Sequence, residues 1–310
     1  MRKFTEPTFR RALLHPRYWS VLILMAVMYL LSWLPYFIQF RLGQGVGRLA
    51  MKMLSSRRET IKQNIALCFP DLSIEEQQRL IAQNIDNTGL ALFETAMAWF
   101  WPDIRVERHV KVEGLEYVDQ LQQQGKGILL IAVHSMNLEL GARAFGLKRP
   151  GVGVYRPNNN PCFDYFQFKG RIRSNKYMLD RKNVKGMLKG LKEGEILWYA
   201  PDQDYGRGRN STFAPLFAVK DACTTTGTSL LVDASGAVPL PFAMIRNSDN
   251  GQYTLKIFPP LIDFPHKAPQ AAAAYINKAV EHSIMAAPSQ YMWLHRRFKT
   301  RPEGEKSLYH

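Results

Sequence analysis

The segment His134-Ser-Met-Asn-Leu-Glu139 sets an imidazole and a carboxylate five residues apart, a pair able to move a proton near neutral pH. A carboxylate bonded to one ring nitrogen fixes the tautomer and stabilises the imidazolium, leaving the other nitrogen to act as general base. With seven histidines and 26 acids in 310 residues, chance alone gives roughly 0.6 such pairs, so the spacing by itself is weak, and its bland reading is a histidine satisfied near the core. Position singles it out. The run at residues 127–133 is short, apolar and glycine-flanked, so it predicts a buried strand ending at His134. A helical pattern at residues 138–145 then carries Glu139 in its first turn.

Other residues with chemical potential lie further along. Arg156 stands in Tyr-Arg-Pro-Asn-Asn-Asn, and Arg171 and Arg173 in Gly-Arg-Ile-Arg-Ser-Asn-Lys. Clustered guanidinium forks and amides suit phosphate oxygens; a solvated basic face is the plain alternative. Asp202-Gln-Asp204-Tyr-Gly-Arg207-Gly-Arg209 mixes carboxylates with cations in a glycine-rich loop. With no histidine or third acid beside it, that loop has little metal-ligand character. The chain lacks a phosphate-binding glycine loop, a nucleophile elbow and a His-Glu-x-x-His zinc motif. Gly43-x-Gly45-x-Gly47 follows an apolar run rather than a strand, so it is no dinucleotide fingerprint. Nucleotide chemistry and zinc hydrolysis are disfavoured.

These residues need a frame. Ser73-Ile-Glu-Glu76 is a capping box, and the apolar spacing after it predicts a helix to about Trp99, stopped before Pro102. Strands are predicted at residues 127–133, 152–155, 196–200, 238–245 and 253–258, and helices at 138–145, 163–169, 184–192, 226–234 and 270–285. Alternating strands and helices imply an α/β fold with a mainly parallel central sheet flanked by helices. Ligands of such sheets gather beyond the carboxyl ends of the strands. His134, Arg156 and Asp202 leave the three clearest strands, so a base, a cation and a carboxylate converge on one edge.

Composition bounds the partners. Lys and Arg outnumber Asp and Glu by 41 to 26, a net +15 that suits an anionic partner. Residues 19–40 carry no charge and as one helix would reach about 33 Å, but Pro35 interrupts them. A kinked span and a helix lying in one leaflet both fit, with bases on either side (Arg2, Lys3, Arg17; Arg41, Arg48) at headgroup level. Residues 1–45 are therefore expected to form a membrane anchor and residues 46–310 the catalytic domain. Tyr291-Met-Trp-Leu-His-Arg-Arg-Phe-Lys299 interleaves rings with bases, which fits single-stranded nucleic acid or, with an anchor present, a membrane interface. Cys68, Cys162 and Cys223 are too few and too scattered for a disulfide framework or zinc ribbon.

Taken in order, His134-x4-Glu139, Tyr155-Arg-Pro157, Arg171-x-Arg173-Ser-Asn-Lys176, Trp198-Tyr-Ala-Pro-Asp-Gln-Asp-Tyr-Gly206, Pro215-Leu-Phe217 and Trp293-Leu-His-Arg-Arg-Phe-Lys299 form a pattern. It resembles the late acyltransferases of lipid A biosynthesis, and within them the lauroyl or palmitoleoyl Kdo(2)-lipid IVA acyltransferases of Gram-negative bacteria. The likeness runs from Leu14-His-Pro-Arg-Tyr-Trp19 to Arg301-Pro-Glu-Gly304. The wider glycerolipid acyltransferases mostly carry Asp where this chain has Glu139, which favours the narrower group. The resemblance implies a glycerolipid-acyltransferase-like fold and transfer of a fatty acyl chain, lauroyl first, from acyl carrier protein to a hydroxyl on an acyl chain of Kdo(2)-lipid IVA. It implies the cytoplasmic face of the inner membrane, no cofactor, no metal and no nucleic acid. It makes His134 the general base and Glu139 its partner. Arg171 and Asp202 become further active-site residues, with Arg156, Arg173 and Asp204 as support. A palmitoleoyl-transferring paralogue and a phosphatidic-acid-forming acyltransferase are the near rivals. A thioesterase and a nucleic-acid-binding membrane adaptor are the distant ones.

Overall fold

A computed structural model describes residues 5–247 and 250–309. The chain runs α1 (Trp19–Ser32), α2 (Tyr36–Met53), α3 (Ser55–Cys68), α4 (Ile74–Phe100), α5 (Asp103–His109), β1 (Val110–Glu113), α6 (Leu115–Gln123) and β2 (Ile128–Ile131). It continues α7 (Leu138–Lys148), β3 (Gly151–Tyr155), α8 (Pro161–Ile172), β4 (Asn175–Asp180), α9 (Val184–Lys192) and β5 (Ile196–Tyr199). A hairpin of β6 (Ser211–Leu216) and β7 (Val219–Thr225) leads to α10 (Gly227–Ser235), β8 (Val238–Asn247), β9 (Gln252–Ile257) and α11 (Pro269–Met285).

Seven strands form the central sheet in the order β1-β9-β8-β2-β5-β3-β4. β8, β2, β5, β3 and β4 run parallel, while β9 is antiparallel to β8 and carries β1 parallel to itself. The expected mainly parallel sheet is therefore present. Alternation along β2 feeds two cores. Ile128, Leu130 and Ala132 join Phe145, Leu240 and Phe242 on one face. Leu129, Ile131 and Val133 join Met187, Ile276 and Trp293 on the other. A strand buried on both faces reads as a continuous apolar run, which is why β2 is plain in the sequence.

The N-terminal segment differs from one long helix. Residues 19–40 are split between α1 and α2 by a turn at Trp33–Pro35, and among the described residues no helix is long and apolar enough to cross a membrane. Arg2 and Lys3 lie outside the described residues. The turn is built into the protein. Pro35 cannot donate to the helix before it, and Gln39 Nε2 donates to the released carbonyls of Ser32 (3.1 Å) and Leu34 (2.7 Å). Trp101 Nε1 adds a 2.7 Å bond to Ser32 O. α2 then runs past residue 45 and lies against α4 so closely that a Cβ on Gly89 would sit 1.9 Å from Gly43 O. The glycines at 43 and 47 thus serve helix contact. α4 begins at the capping box, with Glu76 N bonded to Ser73 Oγ and Ser73 N to Glu76 Oε2.

Candidate active site

β2 and β5 are parallel neighbours, with Ile131 opposite Tyr199, so the loops leaving them emerge side by side. His134 follows β2 and Asp202 follows β5. His134 Nδ1 lies 2.7 Å from Asp202 Oδ1, and the His134 backbone N–H donates to Asp202 Oδ2 at 2.8 Å. An ionised carboxylate only accepts, so the ring proton sits on Nδ1 and Nε2 keeps its lone pair. Nε2 has no protein partner among the described residues, and the ring borders an open pocket. Asp202 is fully buried behind it. Burial disfavours the imidazolium, but the charge and hydrogen bond of Asp202 outweigh burial, and the His134 pKa is raised. Burial likewise opposes charge on Asp202, yet the His134 contacts and Tyr291 leave its pKa lowered.

The histidine's carboxylate is thus Asp202, not Glu139. Glu139 opens α7 and turns to α8, where Arg171 Nε donates to Oε1 at 2.9 Å and Arg171 Nη2 bonds the same oxygen. Trp99 Nε1 donates to Glu139 Oε2 at 3.1 Å. Five residues of sequence placed Glu139 near His134, but one helical turn rotates its side chain towards the guanidinium of α8. Arg171 lowers the Glu139 pKa against the opposing effect of burial, and Glu139 raises that of Arg171 in the same way.

The pocket has a volume of about 1010 Å³ and is bordered by His134, Glu139, Arg156 and Arg171 among the expected residues. Arg156 is exposed at its edge. Arg173 is turned elsewhere: it donates to the carbonyls of Trp99 (2.7 Å) and Trp101 (2.9 Å) and ties α8 to the end of α4. Asp204 is buried and accepts from Gly206 N and Thr300 N, both at 2.8 Å, so it shapes the loop rather than facing the pocket. No group of three or more His, Cys, Asp or Glu side chains is assembled for a metal among the described residues.

The C-terminal aromatic and basic segment corrects a further expectation. Tyr291, Trp293, Arg297 and Phe298 are buried, so this stretch is no membrane or nucleic-acid surface. Arg297 Nη1 bonds Cys223 O at 2.8 Å, and Trp293 Nε1 bonds Pro288 O at 2.8 Å. Its start braces the histidine loop instead. Met292 N bonds His134 O at 3.0 Å, Met136 N bonds Gln290 O at 2.8 Å, and the Tyr291 hydroxyl donates to Asp202 Oδ2 at 3.0 Å. The sequence marks neither Tyr291 nor Trp99 as a partner of the site carboxylates. Their only signal was that each is a large aromatic with one polar atom, a type that finds a partner when buried.

Comparison with known proteins identifies the family. A family model described as bacterial lipid A biosynthesis acyltransferase matches residues 6–300. The lipid A biosynthesis lauroyltransferase of Escherichia coli K12 is 51% identical over 303 residues, covering 98% of this chain and 99% of that protein. The lipid A biosynthesis palmitoleoyltransferase of the same organism is 47% identical over 306 residues, covering 99% of each. Among solved structures, the 1-acyl-sn-glycerophosphate acyltransferase of Thermotoga maritima aligns with a TM-score of 0.37 and 13% identity, over 83% of this chain and 99% of that one. A similarity of that size supports no statement about this chain. The match to the family model and to its close relatives, end to end, does: the chain belongs to the bacterial lipid A biosynthesis acyltransferases, and it is an acyltransferase.

Proposed function

We propose that the protein transfers a fatty acyl chain, lauroyl first, from acyl carrier protein to a hydroxyacyl hydroxyl of Kdo(2)-lipid IVA. The observation that carries the reading is His134, with Nδ1 held by buried Asp202 and Nε2 open to the pocket. Nε2 takes the proton of the acceptor hydroxyl as its oxygen attacks the thioester carbonyl. A carbon–oxygen bond forms, the carbon–sulfur bond breaks, and the imidazolium returns the proton to the departing thiolate. A thioester is already activated, so removing that proton and stabilising the oxyanion is most of the task. Glu139 and Arg171 act as a fixed charge pair in the pocket wall. Lauroyl is preferred to palmitoleoyl on the higher identity to the lauroyltransferase, 51% against 47%.

The protein meets the cytoplasmic leaflet of the inner membrane through α1 and α2. Their outward faces, and the turn between them, carry Trp19, Ile23, Leu30, Trp33, Phe37 and Leu49, with Ile23, Leu30 and Phe37 each more than 60% exposed. Exposed apolar side chains at these positions, with Arg41 and Arg48 also exposed on α2, suit a helix pair lying in one leaflet. α1 spans only about 21 Å at ~1.5 Å per residue, short of a ~30 Å hydrocarbon core. Residues 1–45 are thus the anchoring part and residues 46–310 the catalytic part, although α2 belongs to both. Ile23→Lys with Leu30→Lys should release the folded protein from vesicles in flotation; retention would refute this docking.

Mass spectrometry of a tetra-acylated, Kdo-bearing acceptor, incubated with carrier-bound thioesters of several lengths, tests the reaction. Addition of a lauroyl mass is expected. Acyl release without acceptor labelling would instead identify a thioesterase, and transfer confined to lysophosphatidic acid would identify the glycerolipid rival.

A further inference from the structure

We infer that the mouth of the pocket is a phosphate-binding subsite made by Arg181 and Lys182 of the β4–α9 turn and Arg207 and Arg209 of the loop before β6, with Arg156 beside them. All five border the pocket and are exposed. The inference deepens the acyl-transfer reading and rests on it.

The charge is unbalanced. Glu139 is the one acid among the described residues that border the pocket, and Arg171 already neutralises it. That leaves five cations around one opening, with no carboxylate within 4 Å of any of them among the described residues. Two cations behind the pocket wall are used within the protein. Arg143 bonds Asp103, and Arg173 bonds backbone carbonyls. Arg171 and Arg173 are therefore committed within the protein, and Arg207 partly so through Arg301 O, which leaves anion recognition chiefly to Arg181, Lys182 and Arg209, with Arg156 beside them.

Both loops are held in place. Arg181 N bonds Tyr155 O at 2.9 Å, and Lys182 N bonds Asp180 Oδ1 at 2.8 Å. Gly206 N bonds Asp204 Oδ1 at 2.8 Å, Gly208 N bonds Ser211 Oγ at 3.0 Å, and Arg207 is tethered to Arg301 O. Deeper in, Met178, Met187, Trp198 and Leu231 offer apolar surface. Cations at the mouth over an apolar interior select an amphiphile with phosphate on its head and hydrocarbon behind it. Phosphate reaches the pocket from two sources, the acceptor's sugar phosphates and the phosphodiester of a carrier's pantetheine arm.

The test measures kcat/KM for wild type, Arg181→Gln/Lys182→Gln and Arg209→Gln. Acceptors are the bis-phosphorylated lipid A precursor and the same lipid after enzymatic dephosphorylation. Donors are carrier-bound lauroyl and the lauroyl thioester of N-acetylcysteamine, which has no phosphate. Where a dephosphorylated acceptor turns over too slowly, its inhibition constant against the intact one supplies the same ratio. Wild type should prefer one phosphate-bearing partner, and each lost cation should cut that preference about tenfold. A reduced preference between acceptors assigns the subsite to the acceptor; a reduced preference between donors assigns it to the carrier arm. Equal losses on all four combinations, or none, overturn the inference. Wild type that acylates neither lipid would instead overturn the acyl-transfer reading.

Discussion

Two carboxylates stand at the end of the sheet, Asp202 behind His134 and Glu139 in the pocket wall, and burial works against charge on both. Each has its pKa lowered all the same, by a different kind of partner. Asp202 faces an imidazole, which gains and loses a proton near neutral pH; Glu139 faces a guanidinium, which keeps its charge at any working pH. The first pair can take part in a proton transfer, whereas the second can only hold a field and a shape. Proximity in sequence to His134 favours Glu139, yet the register of β2 against β5 gives the role to Asp202.

The sharpest way to break this contrast is to remove the titrating member. His134→Ala should lower kcat by about 10²- to 10⁴-fold, the usual contribution of a positioned base, with the melting temperature little changed. Normal turnover in a destabilised protein would make His134 structural. Asp202→Asn comes next. The wild-type acid limb of kcat/KM should lie above the ordinary histidine value of about 6.5, because Asp202 raises the His134 pKa. In Asp202→Asn, burial and the charge of Arg171 act unopposed, so the limb should move below that value while kcat falls. An unmoved limb would detach Asp202 from the base.

Glu139→Gln probes the other pair, and its larger effect should be on stability. It leaves the half-buried Arg171 without a counter-charge, at a cost of about 3 kcal/mol, the lower end for breaking a buried pair. The Glu139 pKa is depressed, so the wild-type pair stabilises the fold above the ordinary carboxylate range and loses that contribution as pH falls through the folded value. The variant should lack this acid-side loss. Denaturant melts at pH 3 and pH 7 measure it. A shifted acid limb in Glu139→Gln as large as that of Asp202→Asn would erase the distinction between the pairs.

The difference in legibility between these sites has a physical origin. β2 and β5, buried on both faces, show as apolar runs, and the residues that leave them were found by position. Half-exposed β4 and the β6–β7 hairpin, with their polar positions, gave no such run and were missed. Side-chain direction is also beyond reach: Glu139 stays in the pocket wall but pairs with Arg171 rather than His134, while Arg173 and Asp204 turn away to the end of α4 and to Gly206 and Thr300. The apolar run at residues 19–40 and its interruption at Pro35 are visible, but the Trp101 bond that ties the turn to the rest of the protein depends on tertiary placement.

The finest test of the contrast is Tyr291→Phe, because it keeps both charges and removes one donor. The Tyr291 hydroxyl and the His134 backbone N–H share Asp202 Oδ2, while Oδ1 serves the ring. Losing the hydroxyl costs Asp202 one hydrogen bond, worth about 1.5–3 kcal/mol where the acceptor is charged. The carboxylate then carries more of its charge unshared and holds the imidazolium more strongly, so the acid limb should move upward, opposite to Asp202→Asn. kcat should fall by about fivefold, as a less rigid Asp202 orients the ring less well. KM for the acceptor should not change, since Tyr291 lies outside the pocket wall. A KM effect without a shifted limb would make Tyr291 only a brace for the loop. A shifted limb at constant KM would make it a positioning residue that acts on His134 through Asp202.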